Sequence, residues 1–230
     1  MRSQYLKHTG GVTGTLSRSA TEVKYGFENP FKPDPLSKKA VRYLGTPGRM
    51  LEVGCGEGAD SVFFAGRGWK VKAFDKNGEQ LRRFRSYRKD HGLANIAIVG
   101  DDAVRFQYGK SRYDSVLCLL VLCCMKRSEF ATVLGRLRDT VKIGGIVVAS
   151  ARNYLDPEYK KYRKSERMVE PNTFRDPDEC CRFLYFMEKN GLRKSFKGFD
   201  VLHYREGYGP CKYGEHEYHG DSEIICRRVK

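Results

Sequence analysis

The sequence predicts a doubly wound α/β fold, with helices on both faces of a mostly parallel, seven-stranded sheet. From residue 49 to residue 150, short continuous apolar runs alternate with amphipathic stretches, which is the pattern of parallel strands that helices bury on both faces. A glycine-rich turn directly follows the first of these runs. Near the end of the sequence, two further apolar runs are joined by a connection without room for a helix, which predicts an antiparallel hairpin.

Local signals justify the elements along the chain. Asp34 is predicted to cap a short helix from Pro35 to about Leu44, because aspartate is a favoured N-cap and proline a favoured first helical residue. The alternation then predicts strands at 49–53, 70–75, 96–99, 113–119 and 145–150, and helices at 59–67, 78–91 and 127–141. The hairpin strands are predicted from Gly198 to Glu206 and from Ser222 to Val229, at one edge of the sheet.

Three segments lie outside this alternation. Residues 1–24 are polar and lack periodicity, which predicts a loose arm ahead of a single domain at 25–230. Residues 151–176 form an irregular, tyrosine-rich insertion, which we expect to face the substrate because open α/β sheets bind ligands at this end. Asp176-Pro177 is predicted to open a helix over about 178–190, which Gly191 would close.

The composition sets broad limits on the class of protein. With 230 residues and 40% hydrophobic residues, the chain can bury one good core. No run approaches the roughly 18 apolar residues that span a bilayer, and the first residues lack the apolar centre of a signal peptide. The eight cysteines include no C-x-x-C pair, so we expect free thiols, a cytoplasmic protein and no metal site.

The net charge of +15 raises the question of a nucleic-acid partner. The densest basic clusters lie at 81–89 and 159–164, each on a predicted surface helix, and no segment is a basic tail. A solvated helix face is the simpler interpretation of both clusters, and an RNA contact is the alternative.

The glycine-rich turn at residues 50–58, Met-Leu-Glu-Val-Gly-Cys-Gly-Glu-Gly, is the most informative motif. Gly54, Gly56 and Gly58 allow a sharp backbone turn where side chains would block a ligand. The next apolar run ends in Asp75, where nucleotide-binding α/β folds place the carboxylate that holds the ribose hydroxyls. Turn, helix and acid together predict an adenosine site.

The turn alone does not distinguish between cofactors. Residues 54–59 also fit the dinucleotide fingerprint if Ala59 replaces its third glycine, so NAD is one alternative. Three features oppose NAD: Glu52 lies two residues before the first glycine, Asp101 and Asp102 follow the third strand, and the chain ends in a hairpin instead of a substrate domain.

This combination resembles the class I S-adenosylmethionine-dependent methyltransferases over residues 25–230. The resemblance implies S-adenosylmethionine as cofactor, methyl transfer as activity, and the following site. The turn against the cofactor would consist of Gly54, Cys55, Gly56 and Gly58, and Asp75 would hold the ribose. The adenine would contact Lys76 and Asp101, with Asp102 and Ala103 beside them. The methionine moiety would lie against Cys118 and Leu119, with its amine near Glu52, and Tyr25 would close over the cofactor.

Within that superfamily the chain is most similar to the tellurite-resistance and thiopurine-methyltransferase-like group. The similar runs are residues 51–58, 71–77, 113–117 and 199–206, together with Tyr25-Gly26. That group places His and Arg side chains around the substrate in its last hairpin. This chain offers Glu215-His216-Glu217-Tyr218-His219 there and no arginine that aligns.

Methyl transfer from a sulfonium needs mainly the positioning of nucleophile, methyl carbon and leaving sulfur. Only an acceptor that must lose a proton needs a base, which histidine commonly supplies. His216 and His219 are the catalytic candidates, although a histidine at a loop end also suits a surface role. The expected pocket walls, which equally suit loop packing, are Phe27, Phe31, Arg152, Tyr154, Tyr159, Tyr162 and Glu206.

Three hypotheses for the function remain. The first is methylation of a small molecule, such as a thiol or a chalcogen oxyanion, in a pocket built from 25–31, 151–176 and the hairpin. The second is an RNA or protein methyltransferase that uses the basic clusters at 81–89 and 159–164 to hold its partner. The third is a non-catalytic module that binds S-adenosylmethionine without turnover.

Overall fold

The structure, a computed structural model, describes residues 32–176, 181–210 and 218–230. The predicted arm at 1–24 therefore lies outside the described residues. The same holds for the predicted site residues Tyr25, Phe27, Phe31 and His216.

A seven-stranded sheet organises the described part of the chain. The described residues contain the strands β1 (Arg49–Val53), β2 (Lys70–Asp75), β3 (Ile96–Gly100), β4 (Tyr113–Leu119), β5 (Val141–Arg152), β6 (Met168–Glu170), β7 (Thr173–Arg175), β8 (Phe183–Tyr185), β9 (Phe199–Pro210) and β10 (Tyr218–Arg228). The main sheet has the order β3-β2-β1-β4-β5-β10-β9. Strands β1 to β5 are parallel, whereas β10 is antiparallel to both β5 and β9. The predicted doubly wound sheet with an antiparallel C-terminal hairpin is confirmed.

Helices pack on both faces of this sheet. The described helices are α1 (Pro35–Ala40), α2 (Ala59–Ala65), α3 (Gly78–Asp90), α4 (Arg127–Thr140), α5 (Pro157–Tyr162) and α6 (Gly191–Ser195). One face buries Leu36, Phe64 and Phe84 of α1, α2 and α3. The other buries Leu137 and Leu192 of α4 and α6. None of the described helices is long and apolar enough to cross a bilayer.

The N-terminal cap of α1 follows the prediction. The Asp34 carboxylate accepts a hydrogen bond from the backbone N–H of Leu36 at 2.7 Å, and Pro35 is the first helical residue. The helix ends at Ala40, four residues earlier than predicted.

The predicted helix at 178–190 is wrong. Residues 183–185 form β8, which pairs with β7 in a separate sheet of order β6-β7-β8. All three side chains of β8 are buried, so tertiary packing decides their conformation. Gly191 begins α6 instead of ending a helix, after Asn190 adopts a left-handed backbone with φ 58°. The insertion at 151–176 is not irregular either, because it contains α5, β6 and β7.

Cysteine pairing also departs from the prediction. Cys124 and Cys181 form a disulfide across 57 residues of sequence, with their Cα atoms 5.2 Å apart. Free thiols are therefore the wrong prediction for these two residues. Among the described cysteines, Cys55, Cys118, Cys123 and Cys226 are free and buried.

Candidate cofactor and acceptor site

The turn after β1 is fastened to the end of β2. The backbone N–H groups of Gly54 and Cys55 both donate to the carbonyl of Phe74, at 2.9 and 3.0 Å. The N–H of Gly58 donates to the carbonyl of Cys55 at 2.8 Å, which closes the turn ahead of α2. These bonds hold the backbone of the turn in one conformation, beside the carboxyl ends of β1 and β2.

Two glycines of the turn have no room for a side chain. Gly58 has φ +85°, and a Cβ there would lie 2.2 Å from the ring of the buried Phe84. Gly54 has φ +68°, and its Cβ would lie 2.2 Å from Cγ2 of Val121, in the loop after β4. Both the left-handed backbone and the close neighbours exclude larger residues.

Asp75, at the end of β2, faces the same turn. Its Oδ2 accepts from the N–H of Gly56 at 2.9 Å, and its Oδ1 accepts from the N–H of Asn77 at 2.8 Å. A carboxylate has about four acceptor positions, so the half-buried Asp75 retains capacity for hydroxyl donors. Asp75 thus lies at the end of β2 beside the glycine turn, and its ribose-binding role stays a prediction.

Glu52 is a buried carboxyl group just before the turn. It accepts a hydrogen bond from the hydroxyl of Ser61 on α2. Burial raises the pKa of Glu52 well above its ordinary value, and the nearby carboxylates of Asp60 and Asp75 raise it further. Asp60 in turn accepts from the N–H of Asp34 at 2.9 Å, which joins α1 to α2. Three acidic groups close together favour a cationic partner such as an ammonium group.

The predicted acidic pair Asp101 and Asp102 lies beside Asp75, just after the end of β3. The N–H of Asp101 donates to the carbonyl of Asp75 at 3.0 Å. Asp101 Oδ1 accepts from the N–H of Asp102 at 2.7 Å, and Asp102 Oδ1 accepts from the N–H of Val104 at 2.8 Å. The half-buried Ala103 lies within this turn, and Lys76 is exposed.

The end of β4 brings a further segment against the glycine turn. Cys118 is wholly buried, and burial raises the pKa of its thiol, so its side chain belongs to the core. Leu119 is half-buried. Leu120 adopts φ 55° and donates its N–H to Ser150 on β5, both to the carbonyl at 3.0 Å and to Oγ at 3.1 Å. Sequence reasoning missed Leu120, Val121 and Ser150.

Charged side chains lie on the strands beyond β4. The register pairs Asp221 with Arg152 and Glu223 with Ser150. Arg205 on β9 donates from Nη2 to Asp221 Oδ1 at 2.6 Å and from Nε to Glu223 Oε2 at 3.3 Å. Arg205, Asp221 and Glu223 were missed because only antiparallel pairing, which has no local signature, brings them together.

The predicted residues Arg152 and His219 meet at one buried carboxylate. Asp156 has no exposed side-chain surface, and its Oδ2 lies 3.4 Å from Arg152 Nη1 and 3.3 Å from His219 Nδ1. Arg152 also donates to Glu158. The Asp156-Pro157 pair, which caps α5 as Asp34-Pro35 caps α1, was the sequence signal available for this position.

The other predicted pocket residues have structural contacts. Glu206 accepts from the N–H of Asn190 at 3.0 Å. Tyr154 is half-buried and donates its N–H to the carbonyl of Met187 at 2.9 Å. Tyr159 and Tyr162 pack with Phe174 and Phe186 in a small core of the insertion. The pocket-wall role is wrong for Tyr162, which is buried in that core.

Comparison with known proteins identifies the family that the region around the glycine turn matches. Residues 50–145 match the family described as Methyltransferase domain. A curated relative, the probable S-adenosyl-L-methionine-dependent methyltransferase TehB of Haemophilus influenzae, is 20% identical over 167 residues, which cover 71% of this chain and 50% of that protein. The chain therefore spans about half the length of the curated relative it matches.

Solved structures share the fold across most of the chain. A methyltransferase from Methanosarcina mazei is 19% identical with TM-score 0.68, covering 86% of this chain and 99% of the other. TehB of Haemophilus influenzae is 18% identical with TM-score 0.66, covering 90% and 65%. The 1,6-didemethyltoxoflavin-N1-methyltransferase of Burkholderia thailandensis, solved with bound 1,6-didemethyltoxoflavin and S-adenosylhomocysteine, is 18% identical with TM-score 0.61, covering 85% and 77%. The chain has the class I methyltransferase fold.

Proposed function

The chain carries a class I S-adenosylmethionine-dependent methyltransferase domain, and we propose that it methylates a small-molecule nucleophile by in-line displacement. When bound, S-adenosylmethionine supplies a methyl group on a positively charged sulfur. The observation that carries the proposal is the convergence of the glycine turn, Asp75 and Glu52 at one edge of the sheet.

Each of these groups fits one part of the cofactor. Asp75 has acceptor capacity for the ribose hydroxyls beyond its bonds to Gly56 and Asn77. Glu52 is buried beside Asp60, and a methionine ammonium group would relieve the mutual repulsion of these carboxylates. Asp101 lies one strand beyond Asp75, to whose carbonyl its N–H donates, and we propose its carboxylate as the acceptor for the adenine amino group.

The charge of the acceptor side supports a small molecule over RNA. Asp156, Asp221 and Glu223 lie at the carboxyl end of β5 and beside it on β10, where they pair with Arg152 and Arg205. Because the arginines already bind carboxylates, and the carboxylates repel phosphate, this region is poorly suited to a nucleic-acid backbone. The 1,6-didemethyltoxoflavin bound in the Burkholderia thailandensis structure is likewise a small molecule.

The alternative of a nucleic-acid or protein acceptor would use the basic residues of α3, but two of its arginines already have partners. Arg83 is paired with Glu57 and Glu79, and Arg88 donates to the carbonyl of Leu93. Exposed basic residues nevertheless lie on α5 and just after it, namely Lys160, Lys161, Arg163 and Lys164.

Two measurements test the proposal. Calorimetry with S-adenosylhomocysteine should show binding to the purified chain, whereas NAD should not bind. Labelled S-adenosylmethionine should then label a member of a small-molecule panel of thiols, tellurite, selenite, purines, amines and phenols. Label found only in RNA or protein would contradict the small-molecule acceptor, and binding without any transfer would favour the non-catalytic module.

A further inference from the structure

The insertion at 151–176 carries a basic surface. Helix α5 and the chain that follows it expose five cationic side chains, defined here as the basic segment: Lys160, Lys161, Arg163, Lys164 and Arg167. In the described part of the chain, none of these five side chains forms an ion pair with a carboxylate. Of the nearby glutamates, Glu158 already binds Arg152 and Glu170 accepts from a serine hydroxyl. Glu166 is the exposed carboxylate left in this stretch, so the surface is strongly positive.

Two exposed apolar side chains continue this surface. Met168 and Val169 begin β6 directly after the basic segment, and Met168 is 55% exposed. Met168 pairs with Phe174 of β7, and directly opposed residues place their side chains on one face of a sheet. Phe174 is buried against Tyr162 of α5. Met168 therefore lies on the face that α5 covers, at the β6 edge of the small sheet, beside the basic segment.

A pair of exposed tyrosines lies near the start of α5. The rings of Tyr208 and Tyr218 stack with their centroids 5.5 Å apart, and both side chains are exposed. Tyr208 pairs with Gly220, whose N–H donates to the carboxylate of Asp156, the N-cap of α5, at 3.2 Å. The tyrosine pair and the basic segment therefore lie at the same end of the fold, beyond the carboxyl end of β5.

We propose that the basic segment, Met168, Val169 and the tyrosine pair form a docking surface for an anionic lipid bilayer. The negative surface potential of such a bilayer attracts lysine and arginine. The methionine and valine side chains are stabilised when they leave water for the boundary between headgroups and acyl chains. Tyrosine is enriched at that boundary, because its ring is apolar and its hydroxyl is polar. The surface lies on the bilayer and needs no helix that spans it.

The same observations make a nucleic acid the weaker partner. A phosphate backbone attracts the basic segment, but it gains nothing from the exposed apolar side chains of Met168 and Val169. Unpaired bases stack on open aromatic rings, whereas Tyr208 and Tyr218 stack on each other, so one face of each ring is already covered. The lipid surface is the partner that uses the charge and the apolar side chains together.

The test is co-sedimentation of the purified chain with vesicles. It needs no cofactor, so its outcome is independent of the proposed methyl transfer. Vesicles of phosphatidylcholine mixed with phosphatidylserine should bind the chain, whereas vesicles of phosphatidylcholine alone should bind it far less. Added salt should weaken binding to the anionic vesicles, because it screens exposed charges.

A first pair of variants tests the charge. Lys161→Gln/Lys164→Gln should weaken binding to the anionic vesicles by about 30-fold, since each cation near the membrane contributes about fivefold. The control Lys70→Gln/Lys110→Gln removes the same charge from exposed lysines near the amino ends of β2 and β4. It should change the affinity far less, because these lysines lie at the opposite end of the sheet.

A second pair of variants tests the apolar contact. Met168→Ser should weaken binding to the anionic vesicles by about tenfold, because a methionine side chain no longer leaves water. The control Ile143→Ser replaces a side chain that is 67% exposed near the amino end of β5, and it should bind as the wild type does. All these side chains are exposed, so the urea midpoints should stay near that of the wild type.

Several results would overturn the docking surface. Equal binding to neutral and anionic vesicles, or equal losses in the two lysine variants, would show that no localised charge holds the bilayer. Unchanged vesicle binding by Met168→Ser would reject the apolar contact on which the choice of lipid depends. Single-stranded RNA that binds more tightly than the anionic vesicles, and equally well to Met168→Ser, would identify a nucleic-acid surface instead.

Discussion

Oδ2 of Asp75 accepts a hydrogen bond from the backbone N–H of Gly56, 2.9 Å away and 19 residues earlier in the chain. The same carboxylate also accepts from Asn77 at the start of α3. One side chain therefore joins the glycine turn to the next helix, and it is also the proposed ribose ligand.

Replacing Asp75 should weaken cofactor binding. We expect Asp75→Ala to weaken S-adenosylhomocysteine binding by about a hundredfold or more, because hydrogen bonds to a charged group contribute about 1.5–3 kcal/mol each. Calorimetry measures the change, with Asp139→Ala as a matched exposed carboxylate. Unchanged affinity would remove the ribose assignment.

Gly58→Ala should destabilise the chain and impair the turn. The positive φ costs about 1–2 kcal/mol, and the overlap with Phe84 adds about 1–3 kcal/mol. Gly135→Ala is the control, because Gly135 is exposed on α4 with nothing within 4 Å of its Cβ position, and alanine there should stabilise by about 0.5–1 kcal/mol. Urea unfolding should show a lower free energy of unfolding for Gly58→Ala and a higher one for Gly135→Ala than for the wild type.

Glu52 should make the free energy of unfolding fall as pH rises. Its pKa is raised in the folded chain, so between the ordinary carboxyl pKa and that raised value the folded state binds more protons than the unfolded state. Stability is therefore lost with rising pH, by at most about 1.4 kcal/mol per pH unit. Urea unfolding across this pH range should show the slope in the wild type and a smaller slope in Glu52→Gln.

Glu52→Gln should have opposite effects on the stability of the chain and on its affinity for the cofactor. Glu52→Gln removes the carboxyl group whose raised pKa costs stability as the pH rises, so it should stabilise the chain at neutral pH while weakening S-adenosylhomocysteine binding. Weakening of both properties together would indicate that Glu52 is needed for folding through its bond to Ser61.

The disulfide predicts a specific peptide linkage. After alkylation without reductant and proteolysis, mass spectrometry should find Cys124 joined to Cys181. The buried Cys55, Cys118, Cys123 and Cys226 should resist alkylation until the chain is unfolded. Recovery of alkylated Cys124 from the unreduced native chain would contradict the bond.

The cofactor half of the site is readable from sequence because its residues follow strands. Glu52, Asp75 and Asp101 each lie at or beside the carboxyl end of a short apolar run, and parallel strands bring such ends to one edge. The turn adds the backbone geometry, since alternate glycines indicate where side chains are excluded.

On the proposed acceptor side Arg152 and His219 were predicted, but the contacts between its residues could not be, because those contacts depend on strand register. The N–H of Gly220 reaches Asp156 across 64 residues, and Arg205 meets Glu223 only through the antiparallel hairpin. The error at 178–190 has a different cause: Asp176-Pro177 has the same pattern as a true cap such as Asp156-Pro157, but burial in a small sheet determines the conformation of 183–185.

The place of β10 between β5 and β9 affects how the chain matures during synthesis. β9 is made before β10, yet its partner in the sheet is β10. A nascent chain that ends before residue 218 therefore has β9 unpaired and β5 as an open sheet edge, which is an aggregation hazard. The contacts that β10 makes with β5 and β9 form only when this late strand is inserted, so we expect the ribosome-bound intermediate to lack them.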